Sequence, residues 1–235
     1  MNWALLSLDG LFFALRWFHI FFGVIWIGVL YYFNFIQGPF FGETDAPTKS
    51  NAIQKLVPRA LWWFRWAAMG TFLTGIAMLG FMDSQYGHAY WGTGPGVLIL
   101  IGASFATLMW ANVWFVIWPA QQVVIASAVN VAAGKPADPT AAARGARSGV
   151  ASRTNVLFSI PMLFFMAAAK HLSLFSVAAD KSLCWLIAVF AVIILGLEFN
   201  ALKGKTGPMT SVKGVVHCGF ALTVVMYILS ELLTK

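Results

Sequence analysis

The run RWFHIFFGVIWIGVLYYFNF, residues 16–35, decides the fold. Its twenty residues carry one formal charge, Arg16, at the first position. A helix needs about 20 apolar residues to cross the core of a bilayer. Only helices and closed barrels satisfy their backbone polar groups in lipid, and this run lacks the alternation of a barrel strand. Five further stretches read the same way. Together the expected spans are residues 11–36, 59–82, 96–118, 156–174, 183–202 and 215–233. The fold class is therefore all-α, a polytopic transmembrane bundle of six helices forming a single domain over residues 1–235. The first stretch reads as helix 1 rather than a signal peptide, because its apolar run is too long and no small-residue cleavage site follows it.

Composition agrees. Of the 235 residues 60% are hydrophobic and 10% charged, and the mean hydropathy is +0.79. A soluble domain is about 25% charged, and so much apolar surface cannot be hidden in one small core. Lipid is the expected partner. The net charge of +7 belongs to loops rather than to a nucleic-acid surface, and no nucleic-acid partner is expected. Cys184 and Cys218 lie in apolar stretches and form no CxxCH, so the usual attachment of a c-type haem is excluded.

Lysine and arginine set the expected orientation. Lys49, Lys55, Arg59 and Arg65 lie in or beside the first loop. Lys135, Arg144, Arg147 and Arg153 belong to the third, and Lys203, Lys205 and Lys213 to the fifth. These are eleven of fifteen basic residues; the others are Arg16, Lys170, Lys181 and Lys235. The positive-inside rule places those loops in the cytoplasm and both termini in the periplasm of a bacterial inner membrane. The alanine-rich stretch 132–146, with Gly134, Pro136 and Pro139, is expected to be a mobile cytoplasmic loop.

Ionisable residues inside a bilayer are costly and mark function by default. His19, in helix 1, and His171, at the end of helix 4, fall at similar depth under this topology. Two imidazoles from different helices, apolar walls and nearby cations suit a b-type haem, with iron held by His19 and His171 and the propionates met by Arg16 and Lys170. Equally, His19 can hydrogen-bond a neighbouring helix and His171 can be an interfacial residue. His88 lies in the short loop beside Tyr86, Tyr90 and Trp91, solvated or capping a cofactor site. At the other depth, Arg65, Asn112, Gln121, Asn155, Glu198, Asn200 and His217 can form an inner polar cluster. That cluster is a packing network, a second cofactor site or a proton path. Gly23 and Gly28, and Gly70, Gly75 and Gly80, suit close helix contacts. Pro161 should kink helix 4.

Several blocks resemble a known family: the helix 1 run above, LWWFRWAAMGTFLTGIAML (61–79), MWANVWFVIWPAQQ (109–122), GKPADP (134–139) and SRTNVLFSIPMLFFMAAAKH (152–171). They are similar to the membrane domain of the urate oxidase N-terminal family, the membrane-bound urate hydroxylases. The likeness runs over residues 15–171 and more loosely through the last two helices. It implies a helical membrane domain in an electron-transfer setting. Longer members carry a C-terminal cytochrome c domain, so a short form is expected to work with a separate periplasmic cytochrome c. Three functions remain open: a b-haem electron carrier, an oxidoreductase acting on urate, and a cofactor-free accessory subunit of a respiratory or photosynthetic complex.

Overall fold

The computed structural model describes residues 3–172 and 181–233. Ser173 and Leu174, the end of the fourth expected span, and Lys235 lie outside the described residues. Among those described there is no strand. The helices are α1 (Leu8–Tyr31), α2 (Gly38–Glu43), α3 (Ala46–Lys55), α4 (Val57–Tyr86), α5 (Gly94–Ala111), α6 (Trp118–Ala132), α7 (Ala141–His171), α8 (Lys181–Lys203) and α9 (Val212–Leu233). Among the described residues six helical units are long and apolar enough to cross a membrane: Leu8–Glu43, Val57–Tyr86, Gly94–Ala132, Ala141–His171, Cys184–Lys203 and Val212–Leu233. This is a multi-pass membrane protein.

The third and fourth units exceed their expected spans the most. The third runs on through α6 to Ala132, and the fourth begins at Ala141 rather than near 156. Hydropathy sees only the lipid-buried part, whereas Ala141–Ala143 are strong helix formers and extend α7 beyond it. The expected loop 132–146 therefore shrinks to residues 133–140, and these are well tied. Gly134, at φ +74°, ends α6 in a Schellman cap, with Lys135 N–H donating to Asn130 O at 2.9 Å. Asp138 N–H donates to the buried Ser127 hydroxyl at 3.0 Å, and Asp138 Oδ1 accepts from Thr140 N–H and O–H at 2.7 Å each. Those two donors hold the Asp138 carboxyl below the usual carboxylate range.

The first and third units each contain a π-helical segment, Tyr32–Gln37 and Asn112–Ile117. A proline follows at the same offset, Pro39 and Pro119. A proline ring collides with the carbonyl four residues earlier, here Phe35 and Phe115, both inside the wide turn. An amide side chain meets a carbonyl just before each segment. Asn34 Nδ2 donates to Leu30 O at 2.9 Å, and Asn155 Nδ2 donates to Met109 O at 3.0 Å.

α7 is the hub of the bundle, packing on α1, α5, α6, α8 and α9. Its core side chains Phe158 and Phe165 are fully buried, with Phe105 of α5 against Phe158 at 5.2 Å between rings. Two glycines set its neighbours close. A Cβ on Gly102 of α5 would meet Met166 at 2.7 Å, and one on Gly219 of α9 would collide with the Ile160 side chain. The tight contact between α1 and α4 comes from α4: a Cβ on Gly70 would meet the Phe22 ring at 2.6 Å, whereas Gly28 has open space beside it. The loops rich in lysine and arginine gather at one end, the basic end. The α4–α5 turn marks the far end.

Candidate functional site

At the far end a half-enclosed cavity of about 450 Å³ opens between α1, α4, α5 and α7. Arg16, His19, Lys170 and His171 all line it. Its walls are otherwise mostly apolar, including Met78, Met82, Ala103, Ala106 and Met166. Arg16, Lys170 and His171 are exposed at its mouth, and His19 is half-buried.

The imidazole of His19 is fixed from one side. Thr74 Oγ1 donates its only proton to backbone, to Gly70 O at 2.6 Å or Thr71 O at 3.1 Å. At 3.2 Å from His19 Nδ1 it can then only accept, so Nδ1 carries the proton and Nε2 keeps its lone pair. Gly75 makes room: a Cβ there would stand 3.2 Å from His19 Cε1 and 3.5 Å from Nδ1. A ring held by a hydrogen bond on one nitrogen with the other free is the usual state of a metal-binding histidine. Trp26, also lining the cavity, has a buried indole N–H with no acceptor among the described residues. Tyr90 closes part of the wall, and burial raises its phenol above the ordinary range. Its neighbour Trp91 donates to Asp83 Oδ1 at 2.7 Å, and His88 Nδ1 lies at the same oxygen at 2.7 Å. His88 does not line the cavity; its side chain is 91% exposed.

The grouping expected for the inner polar cluster resolves into separate places. Asn112, Asn155 and Glu198 join. Asn112 Nδ2 donates to Asn155 Oδ1 and to Glu198 Oε2, each at 3.0 Å. All three are buried. Arg65 lies apart, its guanidinium carbon 3.9 Å from the Trp118 ring centre and 5.0 Å from that of Trp114. Facing rings rather than a carboxylate compensate that charge. His217 is exposed and makes no hydrogen bond among the described residues. Gln121 donates to the Ser148 hydroxyl at 2.9 Å, and Asn200 to Lys205 O at 3.0 Å.

The urate oxidase N-terminal family model matches residues 82–229. The chain belongs to the urate oxidase N-terminal family. The matched region of this urate oxidase N-terminal domain starts near the end of α4 and runs almost to the end of α9, so it takes in all of α8 and most of α9. It contains Lys170, His171 and the Asn112–Asn155–Glu198 network; Arg16, His19 and Arg65 precede it. No curated protein and no solved structure matches the chain.

Proposed function

We propose that this membrane domain carries haem b in the far-end cavity, between His19 of α1 and His171 of α7, and passes electrons to or from a separate periplasmic cytochrome c. The observation that carries this reading is the convergence of His19, His171, Arg16 and Lys170 on one largely apolar cavity, with the Nε2 lone pair of His19 unused. The residues fit the group: a volume of about 450 Å³ falls in the usual range for small-molecule and cofactor sites, ~300–1,000 Å³. Haem, when bound, supplies a one-electron couple set by its axial ligands and surroundings. The chain's own residues do the rest. Thr74 orients the His19 ring, Gly75 leaves it space, and the methionine and alanine walls exclude water. Arg16 and Lys170 supply positive charge at the mouth. The lysine- and arginine-rich loops at the opposite end support a periplasmic position for that mouth in a bacterial inner membrane, within reach of a soluble cytochrome.

Acid extraction of the purified protein, expressed with haem supplied, tests this. Non-covalent haem b near one per chain supports it. Its absence returns the chain to the role of a cofactor-free subunit. In a cysteine-free background, His88→Cys should be labelled from outside and Thr140→Cys should not; the reverse pattern inverts the topology. The family match favours a second reading, an oxidoreductase acting on urate, which urate-dependent reduction of added cytochrome c tests.

A further inference from the structure

Arg65 lies eight residues into α4 from the basic end, about 12 Å at 1.5 Å per residue. It is the one charged residue in the apolar run Leu61–Leu79. A charge at that depth is costly and marks function by default. Three rings surround it. The guanidinium carbon lies 3.9 Å from the Trp118 ring centre, 5.0 Å from that of Trp114 and 5.5 Å from that of Trp66. Trp66 and Trp114 meet edge to face at 5.5 Å, which joins α4 to the third unit beside the charge.

Rings meet a guanidinium through its faces. Its five N–H donors lie in its plane and point outward. None of them has an acceptor among the described residues. Nε is buried without a partner, and no carboxylate pairs with the group. Two more donors on the same seam are unmet, the buried indole N–H groups of Trp114 and, one turn deeper, Trp110. The seam between α4 and the third unit thus carries positive charge and unmet donors. Its border faces the bilayer: Trp62 and Trp66, four residues apart on α4, are exposed, and Leu73 and Ile76 continue that exposed face away from the basic end. Exposed tryptophans of this kind sit at the headgroup level of a membrane.

We propose that Arg65 holds the phosphate of an anionic phospholipid from the leaflet at the basic end, with the acyl chains lying along the Trp66, Leu73 and Ile76 face of α4. A phosphate diester offers two oxygens to the in-plane fork of the guanidinium, which a ring cannot do. Charge selects the headgroup. The basic end carries eleven lysines and arginines against Glu43, Asp45, Asp138 and Glu198. Three of these four acids are engaged elsewhere: Asp45 accepts from Thr48, Asp138 from Thr140 and Glu198 from Asn112. No acidic side chain pairs with Arg65 among the described residues, so none is placed to meet the ammonium of a zwitterionic lipid. The surrounding cations also enrich anionic lipid near the opening of the seam.

Native mass spectrometry of the full chain in uncharged detergent tests this, with phosphatidylglycerol, phosphatidylcholine and inorganic phosphate as probes. One phosphatidylglycerol per chain should bind in preference to phosphatidylcholine. Arg65→Gln should weaken that binding by about tenfold or more, as for loss of a charged hydrogen bond. Arg59→Gln removes an exposed charge from another face of the same helix, and should change it by about twofold at most. A second measurement needs no variant, should Arg65→Gln fail to fold. In liposomes, phosphatidylglycerol brominated on its acyl chains should quench the tryptophan fluorescence of the wild-type chain more than phosphatidylcholine brominated to the same extent. Equal binding or equal quenching by the two lipids overturns the proposal. So does an unchanged affinity in Arg65→Gln, a loss as large in Arg59→Gln, or binding of inorganic phosphate without either lipid.

Discussion

The far-end cavity and a second one of about 240 Å³ at the basic end draw on the same four helical units, the first, α4, the third and α7, and differ in what their hydroxyls do. At the far end Thr71, Thr74 and Thr107 all bond back to their own helices. The wall they leave is apolar, with one imidazole nitrogen free. At the basic end Ser148 and Ser152 accept from amides and keep their protons. One end therefore suits a large apolar cofactor, and the other holds polar side chains that tie α7 to the first and third units. In a membrane helix a serine or threonine is nearly silent when it bonds four residues back. It becomes informative when it does not.

The comparison breaks most sharply at Gly75. Gly75→Val places methyls where His19 now lies, and should abolish haem binding while leaving the affinity for anionic phospholipid intact. Loss of both would mean that the two ends are not separate. Thr74→Val is subtler. It removes the acceptor that fixes the His19 tautomer, and haem affinity should fall about 10–100-fold, as for other outer-shell partners of metal-bound histidine. Haem titration of the apoprotein measures it; an unchanged affinity would show that the hydrogen bond is incidental.

Asn155→Ala tests whether the middle of the bundle is structural. It takes one donor from the Met109 carbonyl, which keeps the Asn112 backbone N–H, and leaves one Asn112 side-chain N–H unmet, at a cost of about 1–3 kcal/mol. Thermal unfolding in detergent should record that loss with both binding signals intact. A change in either signal would tie the Asn112–Asn155–Glu198 network to function. The smallest effect is expected at Trp118. Trp118→Leu removes the ring nearest the Arg65 guanidinium, at about 0.5–1 kcal/mol in the same assay; no change would mean that Trp114 and Trp66 suffice.

The six spans and the shared depth of His19 and His171 were legible because both follow from hydropathy and alternation of direction. Depth along a helix is a sequence property. Direction around it is not, which is why Arg65 was grouped with Glu198 yet lies against Trp114 and Trp118. The α7 extension was hidden because Ala141–Ala143 are only weakly hydrophobic and are followed by Arg144 and Arg147, so the stretch is helical without reading as a span. The π segments carry no periodic signature; Pro39 and Pro119 were the available signal, each following a run that should otherwise be regular helix. The basic-end cavity could not be read at all, since the partner a serine hydroxyl takes depends on that same direction around the helix.

The visible spectrum of the dithionite-reduced protein tests the central claim most directly, with wild type, His19→Ala, His171→Ala and His88→Ala expressed with ample haem. The account predicts a sharp α-band in wild type, kept in His88→Ala. In each of the other two variants the band should be lost or replaced by a high-spin spectrum. A wild-type protein with no Soret absorption, or a band that survives both His19→Ala and His171→Ala, would contradict it.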